Sequence, residues 1–181
     1  FLALIIGFFI NSYESPIFLS FYYSILLIFG FFLFDKVFKI SFHWYHYVIF
    51  IFIIVTGPSL IIIFLSKFVY YDKILHFIHP FLFSFIVYFI INKNKMKYFY
   101  KISITFFIVT SCFGFFEIIE FVADLLWNFH LQGVYVRSSD GIYTGETIIN
   151  PLYDTMIDLI LGYLGSFFFF LQSIIRKNFF S

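Results

Sequence analysis

The chain has 181 residues, 62% hydrophobic and 12% charged, with a formal net charge of +1 and a mean hydropathy of +1.00. No water-soluble domain of this size can bury so much apolar surface, so the composition places the chain in a lipid bilayer. No basic patch with interleaved aromatics suggests nucleic acid as a partner, and the lone cysteine, Cys112, excludes an internal disulfide or a cysteine-based metal site.

Phe1–Ile10 is apolar but short of the roughly 20 residues a crossing requires, and reads as the tail of a truncated first span. After a turn at Asn11–Pro16, Ile17–Phe34 forms an uninterrupted apolar second span. Asp35–Tyr45 is a loop, with Trp44 and Tyr45 suited to anchor at the interface. Tyr47–Leu65 is a third span broken by Thr56-Gly57-Pro58-Ser59, where Pro58 has no N–H for the Ile54 carbonyl and a kink is expected. Asp72–Ile91 is the fourth span, with Asp72 placed to cap it. Within it, Pro80 leaves the His76 carbonyl without its helical donor. The basic loop Asn92–Lys101 leads to the fifth span, Ile102–Asn128. His130–Asn150 is the one long polar loop, and Asn150-Pro151 reads as an N-cap and first-turn proline opening the sixth span, Pro151–Leu171. The expectation is an all-α polytopic transmembrane bundle of about six spans, the first truncated. Residues 1–181 form a single domain in this reading, without internal repeat.

Lysine and arginine divide unevenly between alternate loops. Lys36, Lys39, Lys93, Lys95, Lys97, Lys101, Arg176 and Lys177 fall on one side, against Lys67, Lys73 and Arg137 on the other. The positive-inside rule then puts the basic loop and the C-terminus in the cytoplasm. Glu117, Glu120 and Asp124 are three and four residues apart, so a helix stacks them on one face. At the helical rise, Asp124, Glu120 and Glu117 lie ~6, ~12 and ~16 Å below Asn128. His76, Asp154 and Asp158 fall ~5–10 Å below the outer ends of their own spans. Three segments distant in sequence thus place ionisable groups in one outer layer. Ionisable residues inside a span are costly and mark functional sites. Asp154 lies in a first turn, where the helix dipole favours an anion. Gly162 and Gly165, near the same stripe, would let a neighbouring helix approach, while Phe169 is expected nearer lipid.

These carboxylates cannot all be ionised in a dry cleft with only Lys73 to offset them. Two accounts are open. A divalent cation could be held by His76, Glu117, Asp154 and Asp158, a donor set that suits Zn, Mn or Fe. Alternatively His76 and Glu117 do acid–base work in a catalytic cluster with Glu120, Asp154 and Asp158, with Asp72 and Lys73 at its mouth. His79, next to Pro80, is read as structural, and His43, His46 and His130 as interfacial.

Asp72-Lys73-x-x-His76-Phe77, Phe116-Glu117-x-x-Glu120-Phe121 and Asp154-Thr155-x-x-Asp158 followed by Gly162 and Gly165 resemble the YjdF-type inner-membrane proteins. The first element and the late Asp before glycines are also similar to VanZ-like proteins. The resemblance implies a polytopic bacterial membrane protein, and its VanZ-like side implies a link with resistance to lipoglycopeptide antibiotics. The functional expectation is an outward-facing intramembrane site handling a lipid or envelope-precursor headgroup. A proton-coupled transporter and a non-catalytic envelope interaction protein are the alternatives.

Overall fold

Long runs of Phe, Ile and Leu without Gly–Pro interruption leave the backbone no way to satisfy its polar groups in lipid except as helix. The computed structural model describes residues 16–59, 68, 70–127, 130–137 and 143–180. Helix α1 (Pro16–Phe38) is followed by α2 (Trp44–Ile54), which runs into a π-helical turn at Val55–Ser59. Helices α3 (Tyr71–Asn92) and α4 (Tyr98–Trp127) come next, then strands β1 (Val134–Arg137) and β2 (Tyr143–Ile149), and finally α5 (Pro151–Phe180).

Among the described residues, three helices are long and apolar enough to cross a membrane: Tyr71–Asn92, Tyr98–Leu126 and Pro151–Arg176. These are the expected fourth, fifth and sixth spans. The apolar helix at Trp44–Gly57 is shorter, and the truncated first span and the far half of the third lie outside the described residues. Among the described residues, three of the six expected spans are therefore shown. The fold also departs from all-α, because the polar loop before α5 contains a two-stranded sheet of β1 and β2. Val134, Tyr135 and Val136 on one side and Thr144, Thr147, Ile148 and Ile149 on the other are good strand formers. Their short alternation is masked in the sequence by the glycines around them.

The chain divides into two compact units, one comprising Phe1–Asp72 with Tyr135–Thr147 and the other Lys73–Val134 with Ile148–Ser181. In the first unit, the Asp35 carboxylate organises the turn between α1 and α2. It accepts the Phe42 N–H at 3.3 Å and the Tyr47 hydroxyl. Phe31 stacks on Phe42 and Phe50 with ring centroids 4.9 and 4.0 Å apart. The expected break at Pro58 takes the form of the π-helical turn, in which the Thr56 hydroxyl donates to the Phe52 carbonyl at 2.7 Å. His46, read as interfacial, is only 2% exposed, and its Nδ1 accepts the His43 N–H at 3.2 Å. That bond serves the start of α2, a need that burial and composition do not announce.

In the second unit α3, α4 and α5 pack together. Gly165 is the point of closest approach: a Cβ there would fall on the Phe77 carbonyl oxygen and stand 3.0 Å from its carbon. Gly162 faces Phe113, the His76 carbonyl and Pro80 at ordinary contact distances of 3.8–3.9 Å. The expected small-residue seam is therefore present, with Gly165 as its tight position. Ser84, Thr105 and Ser166 are fully buried, and each hydroxyl donates to the carbonyl four residues earlier. Each of these three buried hydroxyls is thus satisfied within its own helix. Phe169, expected near lipid, is 3% exposed and packs on Phe85 and Tyr88 at 5.0 and 5.9 Å. An apolar side chain is equally content in lipid and in a bundle core, so composition does not separate the two.

Candidate functional site

Lys73 and His76 are three residues apart in the first turns of α3 and so share a face. Asp154 and Asp158 are one turn apart at the start of α5, and the same spacing aligns them opposite α3. The Lys73 ammonium lies between them. It donates to Asp154 Oδ1 and, at 2.6 Å, to Asp158 Oδ2. All three side chains are buried, with relative exposures of 7%, 4% and 3%. Taking such charges out of water costs several kcal/mol per ion, and only close mutual contact offsets it. Asp154 gains further from the positive end of the α5 dipole.

His76 lies on the far side of Asp158 from the lysine. Its Nε2 is 3.9 Å from Asp158 Oδ1, and its Nδ1 is 3.6 Å from Glu117 Oε1 on α4. Both ring nitrogens therefore face carboxylate oxygens at ion-pair rather than hydrogen-bond separations. A neutral imidazole has one N–H and one lone pair, so the ring can offer a proton towards one of these carboxylates and accept one at its other nitrogen. Asp154, Asp158 and Glu117 thus place three buried carboxyl groups near the single ammonium of Lys73. Beside His76, Glu117 and Asp158 is a cavity of about 10 Å³, extending along Gly114, Thr110, Gly162 and Tyr163. That is room for one water.

Of the remaining acidic residues, Asp72 offers a carboxylate oxygen within 4.8 Å of ligand atoms of His76 and Asp158. Asp124, on the Glu117 face of α4 but near its end, accepts the Leu131 N–H at 2.7 Å and the Gln132 N–H at 2.8 Å. The next amide, Gly133 N–H, donates to Asp154 Oδ2 at 2.8 Å. The Gln132 side chain reaches the Thr155 hydroxyl at 3.0 Å and the Glu117 carbonyl at 3.5 Å. Leu131–Gly133 thus forms a strap tying the end of α4 to the start of α5, bounded by left-handed backbone at His130 (φ 55°) and Gly133 (φ 93°). Glu120 is half-buried on α4, offset by about 60° from Glu117 around the helix. Asp72 is half-buried in the first turn of α3. The structure therefore brings together Asp72, Lys73, His76, Glu117, Asp154 and Asp158. Gln132, Gly133 and Thr155 join the site without a sequence signal beyond a glycine in a polar loop.

Three bilayer-spanning helices enclosing a lysine–carboxylate–histidine cluster define an α-helical integral membrane protein with a buried polar site. The chain belongs to the family described as "Predicted membrane protein (DUF2238)", which matches residues 1–178. The YjdF-type resemblance is consistent with that family. No curated protein and no solved structure is similar enough to match the chain.

Proposed function

We propose that the chain is a multi-pass protein of the bacterial cytoplasmic membrane that performs acid–base chemistry on a lipid or envelope-precursor headgroup, with His76 and Glu117 as the proton-exchanging pair. One observation carries this reading: His76 is held with a carboxylate oxygen opposite each ring nitrogen. An imidazole so placed can take a proton at one nitrogen, keep its orientation through the other, and pass the proton to a group entering beside it. Lys73 supports an anionic headgroup as the ligand, since an ammonium favours phosphate or carboxylate. Asp154 and Asp158 hold that ammonium in place.

A divalent cation is the competing use of the same geometry. The donors whose ligand atoms lie within 4.8 Å of one another are Asp72, His76 and Asp158, while Glu117 faces the other ring nitrogen of His76 and Asp154 is engaged by Lys73 and the Gly133 amide. Elemental analysis of purified protein separates the two, because a resident metal should be stoichiometric and lost in Asp158→Asn. The carrier reading draws on the cavity, which runs from His76 towards Thr110 and Tyr163, away from the Lys73 end. The similarity to VanZ-like proteins rests on two short motifs and favours an interaction protein, in which neutralising these carboxylates would alter folding without altering turnover.

The test is ³¹P NMR of purified protein in vesicles containing a lipid phosphate monoester. The reading expects conversion of the headgroup by the unaltered protein and its loss in His76→Gln and Glu117→Gln variants that keep their helical content. No conversion by any form, or equal conversion by His76→Gln, would refute it.

A further inference from the structure

We propose that Leu131–Gly133 is a latched lid over the Lys73 end of the α3–α4–α5 trio, and that Asp154 is the latch. The lid rests on the acid–base reading only for its purpose, which is to admit a headgroup to a site whose cavity has room for one water. Its mechanics rest on the bonds themselves.

A surface loop ordinarily leaves its amides to water. Here three consecutive N–H groups are taken by two carboxylates from different helices, Leu131 and Gln132 by Asp124 on α4 and Gly133 by Asp154 on α5. Bonds from backbone N–H to an ionised carboxylate are stronger than neutral ones, so the strap is held shut rather than resting in place. Asp154 is shared between two tasks. One oxygen accepts from Gly133 and the other from Lys73, and Lys73 continues to Asp158, which faces His76. The strap is therefore joined to the proton-exchanging pair through an unbroken series of charged contacts.

That series makes the latch sensitive to an anion. When Lys73 turns to an incoming phosphate, Asp154 becomes a buried carboxylate that has lost its ammonium. The lower-energy arrangement is then one in which water reaches it, and that requires the strap to lift. His130 and Gly133, both in the left-handed region, bound the segment that moves.

Amide hydrogen exchange by mass spectrometry, on the full chain in lipid nanodiscs, reads this directly. The strap peptide 130–136 is compared with 82–90 in the interior of α3. Asp154→Asn should speed exchange of the strap about tenfold while the α3 peptide is unchanged. Thr155→Val removes one of the two Gln132 side-chain contacts and should give a smaller acceleration, keeping the test decisive if Asp154→Asn does not fold. Strap exchange that stays at the unaltered rate in the folded variants would overturn the lid. So would acceleration that appears only together with the α3 peptide. Nanodiscs containing phosphatidic acid, set against phosphatidylcholine alone, test the ligand. Faster strap exchange with phosphatidic acid supports anion-triggered opening. A strap that answers to the variants but not to phosphatidic acid would retain the lid and refute the headgroup reading.

Discussion

Replacing Gly165 with alanine should pry α3 from α5, and the cost can be worked from the contact. The added methyl would land on the Phe77 carbonyl oxygen, 3.0 Å from the carbonyl carbon and 3.4 Å from Cα. These are backbone atoms inside a helix, so no rotamer change relieves the clash. Alanine regains about 0.5–1 kcal/mol of helix propensity over glycine, while overpacking costs about 1–3 kcal/mol. A backbone obstacle sits at the upper end of that range, leaving a net loss of about 2 kcal/mol. Gly162→Ala is the internal control. Its methyl meets Phe113, the His76 carbonyl and Pro80 at 3.8–3.9 Å, so propensity prevails and the variant should be neutral or up to about 1 kcal/mol more stable. Thermal unfolding in detergent, followed by helical circular dichroism, compares the pair under one condition. Gly165→Ala as stable as the unaltered chain, with Gly162→Ala destabilised, would refute the seam as described.

Lys73→Met leaves Asp154 and Asp158 buried without their ammonium and should cost about 3–5 kcal/mol; unchanged unfolding would contradict the buried triad. Phe169→Ala, at a position 3% exposed, should lose about 3–5 kcal/mol, whereas Phe168→Ala, 53% exposed, should lose little, and thermal melts distinguish them. Lys97→Cys in a Cys112→Ser background should react with an impermeant thiol reagent only after lysis, and Glu146→Cys in intact cells. The reverse pattern would invert the proposed orientation.

The helical period made the centre of the site legible. Lys73 and His76, Asp154 and Asp158, and Glu117 each fall on the inward stripe of their helix, and Gly162 and Gly165 mark where two stripes meet. That arithmetic stops at helix ends. Asp124 shares the face of Glu117 but lies within a turn of the α4 terminus, where unsatisfied loop amides compete for its carboxylate. No periodic pattern announces three consecutive N–H groups, so the strap was not legible. Phe169 and His46 show the other limit. In a membrane protein hydropathy separates lipid from water but not lipid from protein core, so burial within the bundle has to come from packing.

The central claim is that His76 stands between Glu117 and Asp158, and solid-state NMR in lipid bilayers measures it without altering the chain. With ¹⁵N-histidine and ¹³C-carboxyl glutamate, the His76 Nδ1 signal, assigned by its loss in His76→Gln, should be strongly dephased by the Glu117 carboxyl. An oxygen 3.6 Å away requires it. A ¹³C-carboxyl aspartate sample should give the same effect at Nε2, where the Asp158 oxygen lies at 3.9 Å. Nitrogens that show no dephasing from either carboxyl would place His76 outside the cluster and contradict the account.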